Sequence, residues 1–183
     1  MRLVRHPSNP PGAIDAIDAD VERLADGALR VGFHLRGSLA RVRIPGPRTP
    51  RFVPDLWRHT CCELFVGRDD DPAYHELNFS PSGDWAVFAF RGYRDGAPVP
   101  DAALAPRIVV RATTDALELD AVLARGTFPP RHASARLRVG LSAVVEDHDG
   151  ALSYWALCHP PGKPDFHHDT AFALRLEPPA SAC

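Results

Sequence analysis

The 183-residue chain has no long apolar run and no excess of charge of one sign. No stretch approaches the ~20 apolar residues of a membrane span. The first residues place prolines and acids where a secretory signal needs an unbroken apolar segment. Arg and Lys number 21 against 23 for Asp and Glu, whereas nucleic-acid binding needs a basic face. We therefore expect a cytoplasmic protein without a membrane or a nucleic acid among its partners.

The sequence also has few cysteines and a single methionine, and its prolines leave no long segment free to form a helix. The four cysteines form no CxxC pair, so they are expected to be reduced structural thiols; they are Cys61, Cys62, Cys158 and Cys183. Nineteen prolines, about twice the usual share of roughly 5%, are spread along the chain and exclude long helices. Length and apolar content predict one domain over residues 1–183, with short Pro-rich termini.

Period-two alternation of apolar and polar residues is what the sequence does contain. Residues 29–36, for example, alternate as a half-buried strand does. Residues 20–44 are predicted to form three meandering strands, and the Pro-rich residues 45–54 an extended loop. Other strand-like runs lie near residues 60–66, 74–79, 85–91, 107–113, 117–123, 136–145, 152–158 and 171–176. This pattern predicts an all-β fold, an antiparallel β-sandwich of about ten strands.

Three successive runs in the middle of the chain sort their side chains onto two faces. If these strands are neighbours, one face is apolar core, with Leu64 and Leu77 on it. The opposite face, called here the Glu63 face, is predicted to carry Glu63, Tyr74, Glu76, Asn78, Trp85 and Arg91. Flat aromatic rings and planar charged groups suit a polyhydroxylated ligand. The alternative is that Glu63 and Arg91 merely pair with each other across a solvated surface.

Three segments carry a family resemblance: LWRHTCCELFVG, YHELNFSPSGDWAVFAFRGYRDG and SYWALCHPPGKPDFH. They resemble the DOMON-like families, which are β-sandwiches related to family 9 carbohydrate-binding modules and to haem-binding cytochrome domains. In the sugar-binding relatives a Trp precedes a strand Glu by six residues and an Arg follows on a later strand; Trp57, Glu63 and Arg91 resemble these positions. The relatives close the site with a second, late Trp, whereas this chain has Trp155 within a strand and Phe166 in the following loop.

Together these features predict a non-catalytic binding module for a saccharide-like ligand on the Glu63 face. Trp57 would stack on the ligand, and Glu63, Asn78 and Arg91 would hydrogen-bond its hydroxyl groups. The remaining predicted site residues form the rim of the site: Tyr74, Glu76, Trp85, His159, Lys163, Phe166 and His167.

An enzyme acting on sugars is the main alternative, with Glu63 and Glu76 as acid and base. A nearby Arg91 is expected to keep Glu63 ionised, so no glycoside hydrolysis is predicted. A haem-binding electron-transfer domain is the third possibility. Because Met1 is the only methionine and is a poor axial ligand at a terminus, we expect no haem and no other cofactor.

Metal binding is not predicted. The loop residues His159, His167 and His168 with Asp165 match no zinc spacing. The acidic run at 69–71 is followed by a proline and favours an ordinary turn over a calcium site.

Overall fold

The computed structural model describes residues 1–9 and 11–178, which form twelve antiparallel strands. The strands are β1 (Arg2–Arg5), β2 (Ile14–Arg23), β3 (Leu29–Gly37), β4 (Cys61–Arg68), β5 (Tyr74–Phe79), β6 (Trp85–Gly92), β7 (Asp95–Pro98), β8 (Arg107–Ala112), β9 (Ala116–Leu123), β10 (Leu137–Glu146), β11 (Leu152–Ala156) and β12 (Leu174–Leu176). The helical segments of the described residues are 3-10 turns of three residues each. The predicted all-β antiparallel fold is confirmed.

The strands form two sheets that share β1. The first sheet has the order β1-β2-β3-β9-β8, and the second has the order β7-β6-β5-β4-β10-β11-β1, with β12 paired to one end of β10. One large apolar core contains side chains from both sheets, including Phe33 and Leu119 from the first and Leu64 and Leu141 from the second. The described residues contain no helix that is long and apolar enough to cross a membrane.

The N-terminal part of the chain differs from the sequence-based expectation. Residues 20–44 do not form three strands: β2 already begins at Ile14, and β3 is followed by a 3-10 turn over Leu39–Arg41. A bulge between Ile14 and Ala16 interrupts the alternation that would have marked the start of β2. Leu39 and Val42 are buried at a spacing of three, which is the period of a 3-10 turn. The short strands β1 and β7 were also not expected.

The second sheet is covered on its outer face as well as on its core face. Every residue of its interior strand β10 is buried. A second apolar cluster lies on the outer face, where loop residues Phe166 and Phe172 pack against Phe65 and Tyr74. The irregular loop 45–60 lies along the same sheet, and Phe52 forms a bridge to β6. These two loops turn the outer face of the second sheet into a recess.

Three of the four cysteines lie in the described residues, and all three are free thiols. Cys61 and Cys62 are buried in β4, and Cys158 is exposed after β11. Burial raises the pKa of the Cys61 thiol well above its usual range, with a further rise from the neighbouring Glu63. Such a thiol is a poor nucleophile and a structural residue. Cys183 lies outside the described residues.

Candidate functional site

The register of β4, β5 and β6 decides which side chains share the Glu63 face. Glu63 lies opposite Asn78, and Asn78 lies opposite Ala86. Directly opposed residues project to the same side of a sheet. The even-numbered positions of β6, including Phe88 and Phe90, therefore share the face of Glu63.

The prediction that Trp85 and Arg91 lie on the Glu63 face is wrong. Trp85 lies opposite Phe79, is 3% exposed and packs into the main core. The Arg91 side chain is 86% exposed and pairs with Asp95 at 3.0 Å. Because β6 is apolar at both odd and even positions, its alternation does not reveal which side faces the core. Arg91 is therefore not the cation beside Glu63.

A cleft of about 600 Å³ opens on the Glu63 face. Its aromatic lining consists of Trp57, Phe65, Phe88, Phe90, Tyr154 and Phe166. Its ionisable lining consists of Glu63, Glu76, Arg94, Lys163 and His167. Six predicted site residues meet here: Trp57, Glu63, Glu76, Lys163, Phe166 and His167.

Glu63 lies at the floor of the cleft and is 2% exposed. Its Oε2 accepts a hydrogen bond of 3.1 Å from the Ser142 hydroxyl. Its Oε1 faces the Cys61 thiol at 3.7 Å. Burial, together with the charge of Glu76, raises the pKa of Glu63 to about 8.

Glu76 is the second buried acid of the cleft and is 6% exposed. Its Oε1 accepts a hydrogen bond of 2.8 Å from Asn78 Nδ2, and its Oε2 lies 3.6 Å from His167 Nε2. Burial raises the pKa of Glu76 to about 7, while burial and the nearby Arg94 lower the pKa of His167 to about 4. His167 is therefore neutral near pH 7, and its contact with Glu76 is not an ion pair.

Tyr74 supports the cleft wall from behind. Its ring stacks on Phe90 with centroids 4.7 Å apart and planes 9° from parallel. Its hydroxyl accepts from the Arg94 backbone N–H at 3.1 Å and donates to His167 Nδ1 at 2.8 Å. This places the His167 proton on Nε2, directed toward Glu76. Tyr74 thus positions two cleft residues without lining the cleft.

Asn78 and His159 do not line the cleft either. Asn78 is fully buried beneath the floor, where it holds Glu76. His159 donates from Nε2 to the Val4 carbonyl at 2.8 Å, and its ring packs 6.2 Å from Phe166. Lys163 is in the same loop and does line the cleft.

Trp57 is carried to the mouth of the cleft by a 3-10 turn, Leu56–Arg58. Leu56 is buried against Cys61 and Ala86 and so anchors the turn. The Trp57 side chain is left 44% exposed, with the Arg58 guanidinium 4.9 Å from its ring centroid. An exposed aromatic ring on an anchored turn is available for stacking against a ligand.

The loop before this turn is tied down by exposed basic side chains bound to buried acids. Arg48 pairs with the fully buried Asp84. Arg43 pairs with Glu146 at 3.0 Å, and the other carboxyl oxygen of Glu146 contacts His59 Nδ1 at 2.7 Å. These contacts fix the loop on both sides of Trp57.

Several cleft residues were not found from the sequence. Arg94 has a positive φ of 54° in the tight turn between β6 and β7 and pairs with Asp165 at 2.8 Å. The central residues of this turn are Tyr93 and Arg94, which carry no Asn-Gly or Asp-Gly signal, and the nearby Asp95-Gly96 pair lies within β7. Tyr154 reaches the cleft from β11, which adjoins β10 rather than β4, so local alternation could not have placed it.

Gly96 lies next to the aromatic wall. A methyl group at this position would stand 2.5 Å from Phe90 Cδ1 and 2.3 Å from the Ala89 carbonyl oxygen. Only glycine allows β7 to pair this closely with β6 while Phe90 keeps its stack on Tyr74.

The histidine and acidic side chains that the structure describes near the cleft are not arranged around a common point. Within residues 1–9 and 11–178, no group of three or more His, Cys, Asp or Glu side chains is placed to hold a metal ion. His167 bonds Tyr74, while His168 contacts Thr170 at 3.0 Å.

No protein-family model and no curated protein matches this sequence. A solved structure from Bacteroides uniformis, provisionally described as a carbohydrate-binding protein, is similar with a TM-score of 0.61 and 12% identity over 85% of this chain and 75% of that chain. A family 9 carbohydrate-binding module from Caldicellulosiruptor kristjanssonii has been solved with glucose and with cellotriose. Both structures give a TM-score of 0.48 and 13% identity over 87% of this chain, covering 76% of the glucose-bound chain and 75% of the cellotriose-bound chain. At such identities the first similarity establishes the β-sandwich fold alone.

Proposed function

We propose that this protein is a non-catalytic binding module whose cleft holds a small saccharide-like, polyhydroxylated ligand. The observation that carries the proposal is the pair of buried carboxyl groups, Glu63 and Glu76, at the floor of a cleft walled by aromatic rings. Ring faces stack on the C–H faces of a sugar, and carboxyl oxygens hydrogen-bond its hydroxyl groups. The volume of about 600 Å³ also lies within the range of small-molecule sites.

A glycoside-processing enzyme is favoured by one observation, the proximity of two acids with raised pKa values. Acid–base catalysis, however, requires the two environments to push the pKa values apart, so that one group is protonated and the other ionised. Here burial raises the pKa of both, Glu63 to about 8 and Glu76 to about 7. We therefore expect no release of nitrophenol from a panel of aryl glycosides. Release that Glu63→Gln abolishes would establish the enzyme instead.

The binding proposal is tested with a glycan array and a thermal-shift screen of mono- and disaccharides and sugar phosphates. Glu63→Ala removes a hydrogen-bonding group from the floor, and Trp57→Ala removes the exposed ring at the mouth. Glu63→Ala should reduce affinity at least roughly tenfold, because a hydrogen bond to the carboxyl group contributes about 1.5 to 3 kcal/mol. Trp57→Ala should reduce affinity roughly fivefold, because a stacked ring contributes about 1 kcal/mol.

Arg91→Ala is the matched control for these variants. It removes an exposed arginine that pairs with Asp95 away from the cleft, so affinity should not change. A loss of affinity in Arg91→Ala equal to that in Glu63→Ala would contradict the placement of the site. A wild-type protein that binds no carbohydrate in either screen would contradict saccharide binding.

A further inference from the structure

Each of the two acids at the cleft floor keeps one carboxyl oxygen without an N–H or O–H donor within hydrogen-bond distance in the described residues. Glu63 uses Oε2 for Ser142, and its Oε1 faces only the weakly donating Cys61 thiol at 3.7 Å. Glu76 uses Oε1 for Asn78, and the nearest donor to its Oε2 is His167 Nε2 at 3.6 Å. Buried polar atoms in proteins are normally hydrogen-bonded. Glu63 Oε1, held only by a thiol, and Glu76 Oε2, whose nearest donor lies at 3.6 Å, therefore retain capacity to accept from a ligand in the cleft.

No lysine or arginine in the described residues forms an ion pair with either acid. Arg94 lines the cleft, but its guanidinium is paired with Asp165 at 2.8 Å. His167 is neutral near pH 7 because burial lowers its pKa to about 4. The remaining cation, Lys163, lies in the loop above the floor. When the acids ionise, their charge is thus not neutralised by an ion pair with lysine or arginine in the described residues, although the more distant Arg94 opposes the rise in the pKa of Glu76.

Aromatic rings flank the acids in the sheet itself. Glu76 lies directly between Phe65 on β4 and Phe88 on β6 in the strand register. Aromatic faces attract cations through their quadrupoles, and the attraction is strongest where water is excluded. Carboxylate oxygens together with ring faces form a better environment for an ammonium group than for a neutral hydroxyl group.

We propose that the ligand carries a positively charged amine, which binds between Glu63 and Glu76 and against the rings of Phe65 and Phe88. This inference rests on the proposed function, since it names the chemical class of the ligand of the same cleft: an amino sugar or an amine-bearing polyol of similar size. The ammonium group donates to Glu63 Oε1 and Glu76 Oε2, the two carboxyl oxygens without an N–H or O–H donor within hydrogen-bond distance in the described residues. The hydroxyl-bearing ring lies toward Trp57.

Proton release accompanies binding of such a ligand. The groups that face the two acids are Cys61 from β4, Asn78 from β5, Ser142 from β10, and Arg94, Lys163 and His167 from the loops. In the empty cleft burial raises the pKa of both acids, so the pair retains protons near pH 7. An ammonium group favours the ionised forms and displaces these protons. Affinity for a charged amine therefore increases as the pH rises toward the pKa values of the two acids, about 7 and about 8, for as long as the amine stays protonated.

Isothermal titration calorimetry of the wild-type protein tests this with D-glucosamine, D-glucose and N-acetyl-D-glucosamine. The three sugars differ only at one substituent, which is charged in the first alone. Glucosamine should bind at least roughly tenfold more tightly than the other two. Titrations in two buffers of different ionisation enthalpy should show proton release for glucosamine and none for glucose.

Two isosteric variants and one surface variant complete the experiment. Glu63→Gln and Glu76→Gln should each remove the preference for glucosamine over glucose and the proton release. Glu118→Gln, on the outer face of the first sheet, should leave all affinities unchanged. A preference that survives in both cleft variants would overturn the inference.

The possible results distinguish the amine inference from the proposed saccharide-binding function. Equal affinity for the three sugars would overturn the amine inference and support the proposed function. Cyclohexylamine and cyclohexanol form a matched pair without a sugar. Binding of cyclohexylamine alone, with no sugar bound, would support the amine site and contradict saccharide recognition. Absence of binding by all five compounds would overturn both.

Discussion

Acidic side chains on the outer faces of the two sheets differ in their burial and in their ion pairing. On the first sheet, Asp18 pairs with Arg36 at 2.7 Å and Glu118 with Arg111 at 3.5 Å, and all four side chains are more than a third exposed. On the second sheet, Glu63 and Glu76 are buried and have no arginine or lysine partner in the described residues.

This contrast distinguishes acids that keep a surface solvated from acids that could bind a ligand. An exposed acid beside an arginine is fully accounted for by solvation and a weak ion pair. An unpaired buried carboxyl group costs stability, and the fold retains such a group where something else uses it. This difference supports placing the proposed site on the second sheet.

The largest expected effect is on stability and comes from the core, to which the inner faces of both sheets contribute. Leu64 is fully buried in β4, opposite Leu77 on β5 and Leu141 on β10. Leu64→Ala should lower the free energy of unfolding by about 2 to 5 kcal/mol, because it removes apolar contact and leaves a cavity. Urea denaturation followed by tryptophan fluorescence measures the loss. If Glu63→Ala, on the cleft face, lowered the free energy of unfolding by as much as Leu64→Ala, the distinction between core face and cleft face would be contradicted.

An intermediate, pH-dependent effect is expected from the buried acid of the cleft. The pKa of Glu63 is about 8 in the folded protein against an ordinary value of 4.5. Its contribution to stability is therefore complete below about pH 4.5 and is lost as the pH rises through about 8. Glu63→Gln should stabilise the protein at about pH 8.5 by roughly 1 to 3 kcal/mol and have little effect at about pH 5. Thermal melts at both pH values check this, and equal shifts at both would contradict it.

The smallest effect is expected on the outer face of the first sheet. Glu118→Gln breaks an exposed contact with Arg111 at 3.5 Å. The unfolding free energy should change by less than about 0.5 kcal/mol, and the change should not depend on pH between about 5 and 8.5. The same melts serve as the measurement. A pH-dependent change as large as that of Glu63→Gln would show that burial is not what distinguishes the two faces.

The sequence predicts those parts of the fold in which one strand face is apolar and the other is not. Strands β9 and β10 were found at nearly their observed bounds because Leu117 and Leu119, or Leu137 and Val139, mark one face. β1 and β7 have four residues each, which is too short for a period to show. Their pairing is set by distant strands and by a tight turn.

The same contrast decides how much of the site was predictable. Glu63 and Glu76 were placed together correctly because each alternates with leucine in its strand. The face of β6 was misassigned because Trp85 and Phe88, on opposite faces, are both apolar. Register, which is a property of paired strands, was needed to choose between them.

The close approach of β7 to Phe90 bears on how this scaffold could be redesigned. A methyl group on Gly96 would lie 2.5 Å from Phe90 Cδ1. Replacing this glycine of the edge strand β7 by any other residue would therefore displace part of the aromatic wall. Pro98 borders the same cleft and is not part of the aromatic wall. Directed evolution toward larger ligands would therefore start from Pro98 and keep the glycine fixed.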